Sequence, residues 1–205
     1  MSAKQGLLRW LSAFIAFDLV VLGALLAPQL HASGITPGTV TGALASVLTA
    51  PALLLLTSLL SADIKAALVF WRPRHALPGH QAFSKHVHSD TRIDVVALEQ
   101  RVGPFPVDPA EQQAKWYKLY RAHKDDNAVL DANRRYLLFR DLATVSAFSA
   151  LGVPVALKLT GFAVAAAPAG AVFALQYILA AVAAQQAGIR LIKTVLAIES
   201  TQPNS

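Results

Sequence analysis

Charge is nearly absent from two long runs of this chain, about residues 10–60 and 142–189, and is concentrated in the stretch between them. From Trp10 to Ala27 only Ser12 and Asp18 are polar. A helix of that length rises about 27 Å, close to the ~30 Å hydrocarbon thickness of a bilayer. A membrane segment over residues 7–27 is therefore expected. Lys4 and Arg9 also suit the basic start of a signal peptide. The apolar run exceeds the roughly 7–15 residues of a signal core, so cleavage is the weaker reading. Pro28–Gly38 lacks Asp, Glu, Lys and Arg, and Gly34, Pro37 and Gly38 mark a turn. A second apolar run covers Val40–Leu60, with Pro51 placed to kink it. Ile64, Leu68 and Trp71 share one face, which predicts that this helix continues to Trp71. Pro73 then disfavours a helical Arg72. The third run, Leu142–Leu157, is either a separate helix or the continuation of the one before it. Thr160-Gly161 turns the chain, and the fourth run lies within Phe162–Ala187.

The polar middle, residues 63–141, has another pattern. In Trp71–His88, WRPRHALPGHQAFSKHVH, Pro73, Pro78 and Gly79 prevent a continuous helix. A short helix is expected from Arg92 to Val102, closed by Gly103 and Pro104. Asp108-Pro109-Ala110-Glu111 reads as a helix start, with Asp108 capping, Pro109 first and Glu111 completing a capping box. That helix should reach Lys124, Asp125-Asp126-Asn127 should turn the chain, and a further helix should cover Val129–Arg140.

The fold expected is an all-α membrane protein. One transmembrane hairpin occupies residues 1–62, with spans at about 7–27 and 40–60. A helical cytoplasmic domain occupies 63–141. A second hairpin and the tail occupy 142–205, with spans at about 142–158 and 165–187. The two short loops hold one basic residue, Lys158, whereas the middle holds thirteen, from Lys65 to Arg140. The positive-inside bias places both termini and the middle domain in the cytoplasm.

Composition agrees with this division. Hydrophobic residues make up 55% of the 205 and charged residues 15%, with mean hydropathy +0.47. An average soluble domain is about 25% charged. There is no cysteine, which excludes disulfides, a cysteine nucleophile and thiolate metal sites. The net charge of +6 fits anionic lipid as well as a nucleic-acid partner.

Candidate chemistry is sparse. Asp18 lies near the centre of the first membrane run, where a carboxylate is costly and needs a partner, a polar cavity or a pore. Its bland reading is a neutral acid bonded to a Ser or Thr of a neighbouring helix. Thr41, Ser46 and Thr49 suit close helix packing or, in an oligomer, the lining of a pore. His80, His86, His88 and Asp90 match no strong metal template, so no metal or cofactor is assigned. Arg72, Arg74, His75, His80 and Lys85 form a basic stretch that suits lipid headgroups or a polyanion. In the helix after Asp108, Lys118, Arg121 and Lys124 fall near one side with Tyr117. Trp116, Leu119, Tyr120 and His123 form a more apolar side. Arg134 and Arg135, beside Tyr136, repeat the pairing of cation and aromatic ring that single-stranded nucleic acid uses. No catalytic motif occurs, and no enzyme is indicated.

Three stretches carry a resemblance: RPRHALPGHQAFSKH at 72–86, DTRID at 90–94, and DPAEQQAKWYKLYRAHKDDNAVLDANRRYLLFRD at 108–141. They resemble the membrane effectors of Hailong-type antiphage defence systems, small bacterial four-helix membrane proteins encoded beside a nucleotidyltransferase. The similarity covers chiefly Trp71–Asp141. It implies a homo-oligomeric, tetrameric channel of the bacterial inner membrane. A DNA oligomer or nucleotide made by the partner enzyme would hold the channel closed. Loss of that ligand during infection would open it, depolarise the cell and stop growth. The alternative reading is a non-conducting membrane anchor whose cytoplasmic domain docks a partner protein.

Overall fold

The computed structural model describes residues 3–33 and 36–202. The side chains of residues 3–9, 11, 33, 50, 51, 54, 57 and 58 lie outside that description, and with them the expectations for Lys4, Arg9, Gly34 and a kink at Pro51. The chain is all-helical, with no strand among the described residues. In order come α1 (Ala3–Ser33), α2 (Pro37–Ser58), α3 (Ala62–Phe70), α4 (Val95–Val102), α5 (Pro109–His123), α6 (Asn127–Leu159) and α7 (Ala163–Thr201). Single turns of 3-10 and π-helix fill Pro78–Ser89. Among the described residues three stretches are long and apolar enough to cross a membrane: Ser12–Ala32, Asn127–Leu159 and Ala163–Thr201.

Several helix boundaries differ from the sequence reading; α1, for example, continues through Pro28 to Ser33. The helix expected from Val40 to Trp71 ends at Ser58, and a new one starts at Ala62. Ser61 begins it: its carbonyl accepts from the Lys65 N–H at 3.2 Å and its hydroxyl from the Ile64 N–H at 3.4 Å. A Ser N-cap followed by Asp63 in the first turn is a start signal that the periodicity of Ile64, Leu68 and Trp71 masked. Of the two readings open for the third apolar run, continuation is the one found: α6 is one helix of 33 residues that joins the expected Val129–Arg140 helix to that run. No breaker separates Arg140 from Leu142, so nothing stops the hydrogen-bonded ladder.

The chain forms two compact units. The first comprises Met1–Lys65 and Arg140–Ala181. Its core is Leu22 and Leu26 of α1, Val153 and Leu157 of α6, Phe162 just before α7, and Ala165, Ala169 and Phe173 in the first turns of α7. At its polar end Asp141 Oδ1 accepts from Lys65 Nζ at 3.2 Å and from both Nε and a terminal nitrogen of Arg140, at 3.1 and 2.9 Å.

The second unit comprises Ala66–Phe139 and Val182–Ser205. The C-terminal part of α7 thus packs with the polar middle: Leu191, Ile192, Val195 and Leu196 join Phe83, Val87, Leu98, Trp116, Val129 and Tyr136 in one core. The start of α5 follows the sequence signal, whereas α4 starts at Val95, after an Asp94 cap, and not at the expected Arg92. Asp94 accepts from Ala97 N at 2.9 Å, and Asp108 accepts from Ala110 N and Glu111 N at 2.9 and 3.0 Å. Gly103, with φ +76, closes α4 in a conformation that a side chain disfavours.

Candidate functional site

Residues 71–89 are shaped from both ends. At α3's end the Val69 carbonyl accepts from Gln185 Nε2 at 2.7 Å, so one orphan acceptor of the helix terminus is satisfied by α7. Trp71 and His75 then take left-handed conformations, φ 53 and 51, which cost a non-glycine residue roughly 1–2 kcal/mol each. Such strain persists only where the surroundings impose it. Pro73 and the packing of the next turn do so. Pro78 and Gly79 are buried against α5, where a Cβ on Gly79 would overlap Gln113 Oε1 and lie 2.9 Å from Trp116 Cε3.

The organising residue is one that the sequence reading missed. Gln112, 1% exposed, accepts at Oε1 from Phe83 N, Ser84 N and the Ser84 hydroxyl, each at 3.1 Å. Its Nε2 donates to the Val107 carbonyl at 3.1 Å. A single glutamine thereby ties the 82–86 turn to α5. No spacing rule marks such a residue, because the groups its Oε1 accepts from belong to Phe83 and Ser84, nearly thirty positions earlier. His80 Nδ1 adds a bond of 2.9 Å to the Pro109 carbonyl, and its ring meets that of His75 edge-on at 4.9 Å.

The predicted cations fall into three groups of neighbours within this unit. The first surrounds His86, which is 5% exposed. Burial, and the charges of Lys85, Lys193 and Arg72, push its pKa down to about 4. Three cations therefore face one imidazole that stays neutral near pH 7. Lys193 Nζ donates to the Ser89 carbonyl at 2.9 Å. The one acid nearby, Asp90, is forked by Arg92 at 3.1 and 2.8 Å, and this lowers its pKa to about 2. Arg74 and His75 lie exposed in the same loop.

The second group is the outer face of α5. Lys118, Arg121 and Lys124 are exposed, and Tyr117 is 50% exposed among them. Trp116 and His123 are buried. Tyr120 stacks with both Trp116 and Tyr117, with centroids 5.5 and 5.9 Å apart, so the exposed ring is backed by a rigid aromatic stack. The third group is Arg135 of α6, which lines a cleft with Arg190 of α7. Its neighbour Arg134 pairs loosely with Asp131 at 3.6 Å, both well exposed.

Acidic side chains of this unit are used locally. Asp94, Asp108 and Asp126 accept from backbone N–H groups at helix starts. Glu199 binds His123 Nε2 at 2.6 Å and Arg101 Nε at 3.3 Å, latching α7 to α5 and α4. Among the described residues no acid lies within ion-pair distance of Arg72, Arg74, Lys85, Lys118, Arg121, Lys124, Arg135 or Arg190.

The intramembrane candidates have partners inside the first unit. Asp18, 1% exposed, accepts from Gln176 Nε2 of α7 at 2.9 Å, a glutamine rather than a Ser or Thr. The hydroxyls of Ser46 and Thr160 meet at 2.7 Å, and Ser46 is fully buried. Thr41 and Thr49 donate to the carbonyls of Pro37 and Ala45 one turn earlier, at 2.8 and 3.1 Å. Searches against protein-family models, curated proteins and solved structures find no match to this chain.

Proposed function

We propose that the chain is a multi-pass effector of the bacterial inner membrane, active as a homo-oligomer and gated by a nucleic-acid or nucleotide ligand on the unit that contains residues 66–139. Four spans in two hairpins, with α2 as the fourth, and cytoplasmic termini complete this reading. The observation that carries it is the surplus of cations without acidic partners, Arg72 and Lys85 near His86 and Lys118, Arg121 and Lys124 beside Tyr117. Phosphates would neutralise the cations and a base would stack on the exposed ring. The strained 71–75 loop begins directly after α3, which enters this unit from the first, so ligand there acts on the chain that leads to the membrane helices. A ligand that holds the assembly closed must bind the closed state more tightly than the open one. On the resemblance described above, its loss would open a channel and depolarise the cell.

The test is binding of a fluorescent single-stranded oligodeoxynucleotide to the purified protein, with ion flux from proteoliposomes measured alongside. Affinity should fall steeply with salt, with a slope near −0.7 per phosphate contacted. Flux should occur without the oligonucleotide and be suppressed by it. Salt-independent binding, or none, removes the ligand part of the proposal. Silent liposomes together with capture of a soluble partner protein favour the anchor instead. A cleft of about 750 Å³ lined by Phe105, Leu119, Arg101, Glu111 and Lys118 offers such a partner both apolar surface and charges of both signs.

A further inference from the structure

A cleft of about 170 Å³ lies between α6 and α7 within the second unit. Arg135 and Arg190 line it, with Gln186, the ring of Phe139 and three alanines, and no acid contributes to its wall. Both guanidinium groups lack an acidic partner among the described residues. Two like charges on one small cleft repel each other, and an anion between them removes that cost. Guanidinium forks match phosphate oxygens two at a time, and the glutamine amide adds a neutral donor.

The position along the chain selects among phosphates. Arg135 stands seven residues before Leu142, where the uncharged run of α6 begins, and Arg190 directly follows the uncharged run of α7, Ala163–Ile189. Long basic side chains at such positions reach the headgroup layer of a bilayer. Basic pockets between membrane helices take anionic headgroups there. The apolar share of the wall, Phe139 and the alanines, suits the glycerol and upper acyl chain that a free phosphate or an oligonucleotide lacks.

We propose that the Arg135–Arg190 cleft is a binding site for the phosphate headgroup of an anionic phospholipid. Arg135 then belongs to the lipid and not to the oligonucleotide surface, and the site does not depend on the gating proposal.

Native mass spectrometry of the full-length protein in neutral detergent tests this, with phosphatidylglycerol, phosphatidylcholine, inorganic phosphate and a single-stranded oligodeoxynucleotide offered separately. The wild type should retain phosphatidylglycerol in preference to phosphatidylcholine, and millimolar phosphate should not displace it. R135Q and R190Q should each weaken retention about fivefold, and the double variant about thirtyfold, at the energy of one basic residue per headgroup charge. R135K/R190K, which keeps the charge and spares the fold, should stay within about fivefold of wild type. Unchanged phosphatidylglycerol retention in a folded double variant overturns the assignment. So does full displacement by inorganic phosphate, or a double variant that loses the oligonucleotide while keeping the lipid.

Discussion

The two units treat polar groups in opposite ways. In the first, several polar side chains bond within the protein: Asp18 meets Gln176, Ser46 meets Thr160, and Thr41, Thr49 and Ser146 bond carbonyls one turn earlier in their own helices. In the second, acids cap helices and form local pairs, while many cations are left facing outward. A side chain in hydrocarbon has no water to fall back on, so its partner must come from the protein. A cation at an aqueous surface is solvated and remains available to a ligand. Asp18 and Ser46 of the first unit thus have partners inside the protein, and the candidate ligand cations lie on the second.

The largest test of this division is Phe83→Ala, which removes a ring 2% exposed in the core of the second unit. Such truncations cost about 3–5 kcal/mol. Hydrogen exchange should show that loss in α4, α5 and the end of α7, with protection of Leu22 and Leu26 in α1 unchanged. Equal loss in both would mean that the units unfold as one.

His86 should give the second unit a pH dependence of its own. Its pKa is about 4 when folded and 6.5 in a model peptide. The folded state thus binds fewer protons than the unfolded one between those values. Stability is complete above about pH 6.5 and falls as pH drops toward 4. Melting curves across this window should flatten in His86→Gln, and an unchanged slope would remove the assignment.

Asp18→Ala probes the first unit. It strands the Gln176 amide in a buried position, at about 1–3 kcal/mol. Asp18→Asn keeps an acceptor oxygen and should shift the melting temperature much less. If Asn changed ion flux while stability held, the carboxylate would face a conduction path and not only Gln176. The smallest effect is Asp108→Ala, which removes the cap of α5 at about 1 kcal/mol and should leave α1 untouched.

Much of the local structure is legible in residue order. Asp108, Pro109, Gly103 and Pro73 act over one turn, and short-range chemistry of that kind needs no tertiary partner. Three of the four expected membrane-length helices follow from apolar runs for the same reason, since hydropathy sums along the chain. The burial of Trp116 and exposure of Tyr117 follow from helical spacing once one side of α5 is known to be apolar.

Tertiary structure decided what depends on residues distant in the chain. Only the fold makes Gln112 the tie for residues 83 and 84, pairs Asp18 with Gln176 from 158 positions away, and brings Arg190 beside Arg135. It also assigns Val182–Ser205 to the polar unit. These partners are chosen by packing, because a buried polar group takes whichever donor or acceptor the neighbouring helix presents, and no periodicity along one helix records its neighbour.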